Sequence, residues 1–107
     1  MGWHAVADAE ALGDDEALGV RVGEVQIAIV RAGGALHAVN NVCTHQYALL
    51  SEGYVEDGCI ECPLHQGRFD LTTGNALCAP VTDPIQVYPV KVEGGRIFVE
   101  LAEPTKG

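Results

Sequence analysis

Two short pieces constrain this 107-residue chain more than anything else in it: Cys43-Thr44-His45 and Cys62-Pro63-Leu64-His65. Each pairs a cysteine with a histidine, and sixteen residues lie between His45 and Cys62. Spacings this short suit a tight turn with both side chains aimed at one centre. A fold that uses them must bring two such turns side by side. A chain of this length forms one domain with a modest core, so we expect a single domain over 1–107, steadied by a bound metal centre.

The scaffold around the pairs is written in period-two patterns. In "EVQIAIV", Val25, Ile27 and Ile29 fall on one face, with Gln26 and Ala28 on the other. In "RIFVEL", Ile97, Val99 and Leu101 point one way, and Arg96 and Glu100 the other. "IQVYPVKVE" is rich in β-formers, and its Pro89 implies an edge or a bulge. Gly94-Gly95 and Gly33-Gly34 suit two-residue hairpin turns, because glycine accepts positive φ. The one helical stretch expected is a turn or two within 8–18, interrupted by Gly13. The expected fold is all-β, a small antiparallel sandwich or barrel. A loop-rich subdomain at about 41–83, dense in Gly and Pro, is inserted to carry the chemistry.

Charge and address narrow the function. The formal net charge of −9 disfavours nucleic acid and anionic membranes as partners. Acids cluster at Asp8, Glu10, Asp14, Asp15 and Glu16, and again at Glu52, Glu56, Asp57 and Glu61, between the two pairs. The second group reads either as a solvated surface or as a docking face for a basic partner. No apolar run is long enough for a transmembrane helix, and no basic start or apolar signal core precedes Arg21. A cytosolic address follows, which turns four cysteines away from disulfides and toward metal or redox use. There is no Gly-rich nucleotide loop.

Three chemistries compete for the pairs. A tetrahedral zinc site suits the ligand types, but zinc fingers group cysteines with cysteines, whereas here each pair is mixed. A redox dithiol could be read in Cys59-Ile60-Glu61-Cys62, but that motif needs a helix starting at its first cysteine, and Pro63 and Gly67 follow instead. The third reading is a [2Fe–2S] cluster with cysteines on one iron and histidines on the other.

The order Cys-x-His, a gap in the middle teens, then Cys-x-x-His resembles the Rieske family. The resemblance continues through "CPLHQGRFDLTTGNALCAPV" and covers essentially the whole chain, including the flanking strands. It implies one [2Fe–2S] cluster held by Cys43, His45, Cys62 and His65. Neutral imidazoles donate less negative charge than thiolates, so such a cluster has a higher potential than an all-cysteine one. Rieske proteins of quinol-oxidising complexes add a disulfide over the cluster and a serine and tyrosine after the second histidine. The corresponding positions here are Ala48, Leu64, Gly67 and Phe69. Without those hydroxyl donors the potential should fall to the low end of the Rieske range, roughly −150 mV.

Small low-potential members resemble the ferredoxins of aromatic-ring-hydroxylating dioxygenase systems. The resemblance implies a monomeric, non-catalytic electron carrier in aromatic hydrocarbon catabolism. Its partners would be an NAD(P)H-dependent flavin reductase and a terminal Rieske oxygenase. The alternatives are the small subunit of an assimilatory nitrite reductase and a zinc-stabilised interaction module. A truncated oxygenase subunit is not expected, since the chain closes after its last β-run. Cys59 and Cys78 are expected to be packing thiols, His4 and His37 surface or hydrogen-bonded groups, and Trp3 a core or edge anchor. Gln46 and Tyr47 are placed beside the cluster tip, and Pro80 in a shielding third loop.

Overall fold

The computed structural model describes residues 2–43, 48–63, 67–77 and 84–101. Among these residues ten strands follow in order: β1 (Gly2–Asp8), β2 (Glu16–Val22), β3 (Val25–Ala32), β4 (Ala35–Asn40), β5 (Tyr54–Glu56), β6 (Cys59–Glu61), β7 (Arg68–Asp70), β8 (Val87–Tyr88), β9 (Val90–Glu93) and β10 (Arg96–Leu101). They form three antiparallel sheets with strand orders β1-β10-β9, β2-β3-β4-β8 and β5-β6-β7. Among the described residues there is no α-helix, only two 3-10 turns, Ala9–Ala11 and Leu50–Glu52.

The four-stranded sheet is the middle layer, and β3 shows why. Ile27, Ala28, Ile29 and Val30 are all fully buried, so neither face of β3 meets water. Ile27 and Ile29 pack with Leu12, Ala38, Ile97 and Val99, joining the sheet of β1, β10 and β9. Ala28, Val30 and Ala32 pack instead with Val39, Leu50, Ile60, Phe69, Leu71 and Ile85. The alternation in "EVQIAIV" therefore separates two cores rather than core from solvent. The chain places its bulkier β3 side chains toward one core and its smaller ones toward the other, under the small sheet of β5, β6 and β7.

The turns follow from local chemistry. Gly33-Gly34 and Gly94-Gly95 all have positive φ and close the β3–β4 and β9–β10 hairpins as expected. Pro89 lies where the chain changes sheets. Before it, β8 pairs with β4; after it, β9 pairs with β10. A residue without an N–H costs least at such a switch.

The first acidic stretch departs from expectation. Its helical part is only the 3-10 turn Ala9–Ala11, and a full strand, β2, occupies 16–22. The strand wins because it pairs with β3 along its whole length and places Leu18, Val20 and Val22 against a core. Arg31 holds the preceding turn in place, its Nε donating to the carbonyl of Leu12 at 2.8 Å and its Nη2 to that of Ala9 at 2.9 Å. Trp3 is an edge residue, 39 % exposed, with the Lys91 ammonium 4.4 Å from its ring centroid.

Candidate metal centre

The second candidate cysteine is positioned by the small sheet. Asp57-Gly58 turns β5 into β6 with positive φ at both residues, so that Glu56 faces Cys59 across the hairpin. This Asp-Gly pair is among the strongest short-range hairpin signals, although the sequence patterns assign it no role as a turn. Asp70 shapes the turn after β7, its carboxylate accepting from the backbone N–H groups of Thr72 and Thr73 at 2.8 and 3.0 Å. Those two backbone donors hold its carboxyl below the usual range.

The two candidate cysteines occupy equivalent places. Cys43 follows the end of β4, and Cys62 is the residue after β6. The N–H of Cys43 donates to the carbonyl of Ala48 at 2.9 Å, and that of Cys62 donates to the carbonyl of Gly67 at 2.7 Å. Each bond closes a loop back to the residue five positions on, so the loops begin and end alike. Both cysteines are buried, at 4 % and 2 % exposure, in the same cluster as Phe69, Ile60 and Leu71. His45 and His65 lie outside the described residues. So do Gln46, Tyr47, Leu64, Cys78 and Pro80. Among the described residues alone, no three metal-ligating side chains come together.

The base of the first loop is locked by a residue to which the sequence patterns assign no role. Asn41 is 3 % exposed, and its Oδ1 accepts from the backbone N–H of Ser51 at 2.7 Å. Its Nδ2 donates to the Ser51 hydroxyl at 3.0 Å, and its own carbonyl accepts from the N–H of Leu50 at 2.7 Å. One asparagine thus joins both ends of the loop that carries Cys43. The second loop is braced sterically. Gly53 sits so close to the carbonyl of Glu61, one residue before Cys62, that a Cβ there would come within 1.8 Å of it.

The donor set fits an iron–sulfur cluster. Thiols are soft ligands, and these two head matched loops inside one apolar core. Their backbone N–H groups are spent on closing the loops. Phe69, fully buried beside them, adds packing but no hydroxyl. Cys59 is different: half-buried on the small sheet, it points its Sγ toward the carbonyl of Asp57 at 3.6 Å, away from that core.

Fold and donor set together are those of a small all-β protein suited to hold an iron–sulfur centre. The Rieske [2Fe-2S] domain family matches residues 2–89, and the chain belongs to that family. The naphthalene 1,2-dioxygenase system ferredoxin component of Pseudomonas putida is 50 % identical over 98 residues, covering 92 % of this chain and 93 % of the relative. Among solved structures, the Sphingomonas yanoikuyae B1 ferredoxin superposes with a TM-score of 0.89 at 31 % identity, covering 94 % of this chain and all of that one. A chain in the complex of reduced oxygenase and oxidized ferredoxin of carbazole 1,9a-dioxygenase superposes with a TM-score of 0.85 at 37 % identity, covering 91 % of each.

Proposed function

We propose that this chain is a ferredoxin that carries single electrons to the terminal oxygenase of an aromatic-ring-hydroxylating dioxygenase system. An NAD(P)H-dependent flavin reductase supplies those electrons, and the carrier works as a cytoplasmic monomer. It is an electron-transfer component and not itself a catalyst. The observation that carries this reading is the pair of buried cysteines heading two identically closed loops in one apolar core. The 50 % identical relative is the ferredoxin component of a naphthalene 1,2-dioxygenase system, which supports the reading as a ferredoxin of such a system.

Cys43 and Cys62 would hold one iron and His45 and His65 the other. The bound [2Fe–2S] cluster supplies a one-electron couple. The chain's own residues determine how it is housed. Ile60, Phe69 and Leu71 keep water from the cysteine side, and Asn41 and Gly53 fix the loop bases. No hydroxyl stands at Gly67 or Phe69 to stabilise the more negative reduced state, which favours a potential near the low end of the Rieske range. The described residues contain no helix long and apolar enough to cross a membrane.

The test has two parts. Purified protein should hold about two irons and two acid-labile sulfides per chain, as a Rieske centre requires. With a flavin reductase and NADH it should then reduce a terminal ring-hydroxylating oxygenase. One zinc per chain and no sulfide after anaerobic reconstitution would reject the cluster. A cluster that a reductase fills but no oxygenase empties would reject the function.

A further inference from the structure

The small sheet has an inner and an outer side, and the outer side has an unusual make-up. Val55, Ile60, Phe69 and Ala76 form the inner rung and pack into the core. The neighbouring rung faces outward and runs Tyr54, Glu61, Arg68, Leu77, since Tyr54 pairs with Glu61, Glu61 with Arg68, and the N–H of Leu77 donates to the carbonyl of Arg68. Its two ends are apolar and exposed: Tyr54 at 69 % and Leu77 at 49 %. They are two of only four large exposed hydrophobic side chains among the described residues. Three strand spacings separate them, roughly 14 Å.

Between these ends the charges are already matched. Arg68 places its Nε 3.2 Å from the Glu61 carboxylate and its Nη2 3.9 Å from that of Glu56. A partner therefore has no isolated cation to neutralise at the centre of the rung. The surroundings are acidic, with Glu52 and Asp57 exposed beside β5. The rung also lies at the base of the second candidate ligand loop, for Glu61 precedes Cys62 and Arg68 follows Gly67. A protein seated here would lie beside the strand ends that lead to Cys62 and from Gly67.

We infer that the outer rung of the small sheet is the docking surface for the terminal oxygenase, with Tyr54 and Leu77 as its two apolar anchors. The inference rests on the electron-carrier reading above. The occupant it selects is a basic surface with apolar recesses at the same separation, because the rim repels acidic surfaces and the anchors need burial. The oxygenase is favoured over other occupants because a chain 37 % identical to this one is seen in a complex of oxygenase and ferredoxin. The acids also divide here. Glu61 and, in part, Glu56 hold the sheet together through Arg68, which leaves Glu52 and Asp57 to steer.

The experiment is anaerobic stopped-flow mixing of dithionite-reduced protein with the purified oxygenase of a naphthalene 1,2-dioxygenase or carbazole 1,9a-dioxygenase system. The variants are Tyr54→Ser and Leu77→Ser, with Trp3→Ser on the far sheet as control. Each anchor variant should lower the second-order rate by about tenfold at every salt concentration, the size of a truncated interface anchor. Iron content, the electron paramagnetic resonance spectrum and reduction by the flavin reductase should stay at wild-type levels, and Trp3→Ser should react like wild type. Anchor variants that react at the wild-type rate would overturn the inference while leaving the carrier function intact. A defect confined to reduction by the reductase would overturn the choice of oxygenase. So would a wild-type dimer that the variants dissolve without slowing transfer, since the rung would then bind a second copy. A wild-type protein that reduces neither oxygenase would overturn the carrier reading itself, and this inference with it.

Discussion

Replacing Gly53 with alanine adds one methyl group, and the structure says what that group meets. Gly53 has φ −93° and ψ −153°, a conformation open to any residue, so backbone preference does not require glycine there. The obstacle is the neighbouring backbone. The new Cβ would lie 1.8 Å from the Glu61 carbonyl oxygen and 3.2 Å from Cδ of Pro63, where real Cβ atoms essentially never come under 3.0 Å. Glu61 cannot simply yield, because it is paired to Tyr54 on one side and to Arg68 on the other. Relief requires β6 to shift, and Cys62 is the next residue. Overpacking of this kind costs about 3 kcal/mol or more when the opposing atom is backbone. In a small domain that is a large share of total stability. Gly23→Ala provides the contrast: nothing lies within 4 Å of its Cβ, and only the φ of +60° resists it. That change should cost about 1–2 kcal/mol. The assay is urea unfolding of the loaded protein, followed by visible absorbance for the cluster and far-ultraviolet circular dichroism for the strands. Gly53→Ala should be recovered with little iron and a much lower midpoint, and Gly23→Ala with full iron and a modest shift. If Gly53→Ala keeps both its iron and its midpoint, the close approach of Gly53 to Glu61 does not brace the second loop.

Two further outcomes follow from the same geometry. Cys43→Ser and Cys62→Ser should each abolish the cluster, because a hydroxyl is a hard and poorly ionised substitute for thiolate, while Cys59→Ser should keep it. Iron and sulfide analysis of the three proteins decides this, and a cluster lost only in Cys59→Ser would reverse the assignment of the second loop. Asp70 makes a pH-dependent contribution: its folded-state pKa is depressed, so its stabilisation is complete well above the ordinary value of 3.8 and is lost as pH falls through the folded value. Urea midpoints measured between about pH 5 and pH 2 should therefore fall less steeply for Asp70→Asn than for wild type, and parallel curves would show that the turn bonds of Asp70 do not favour its charged form.

The chain's pattern of residues was enough to determine the all-β class and the Gly-Gly hairpins, to mark Pro89 as an edge or a bulge, and to single out the candidate ligands. These are local properties. Alternation of side chains, positive φ at glycine, the missing N–H of proline and short ligand spacing are written within a few residues of one another, and they act before the chain closes on itself. Tertiary structure alone decided the rest. That the chain changes sheets at Pro89 emerged only from the strand pairing. Nothing in "EVQIAIV" says that its small face is as dry as its large one; that depends on the small sheet lying over Ala28 and Val30. The strand β2 overrode a helical reading because β3 was available to pair with it along its whole length. Asn41 and Gly53 have no motif, since their roles exist only once Ser51 and Glu61 are brought beside them. The four acids between the Cys/His pairs look equivalent as letters. Cross-strand register makes Glu61 and Glu56 partners of Arg68 and leaves Glu52 and Asp57 to solvent, because which charges meet is set by which strands pair.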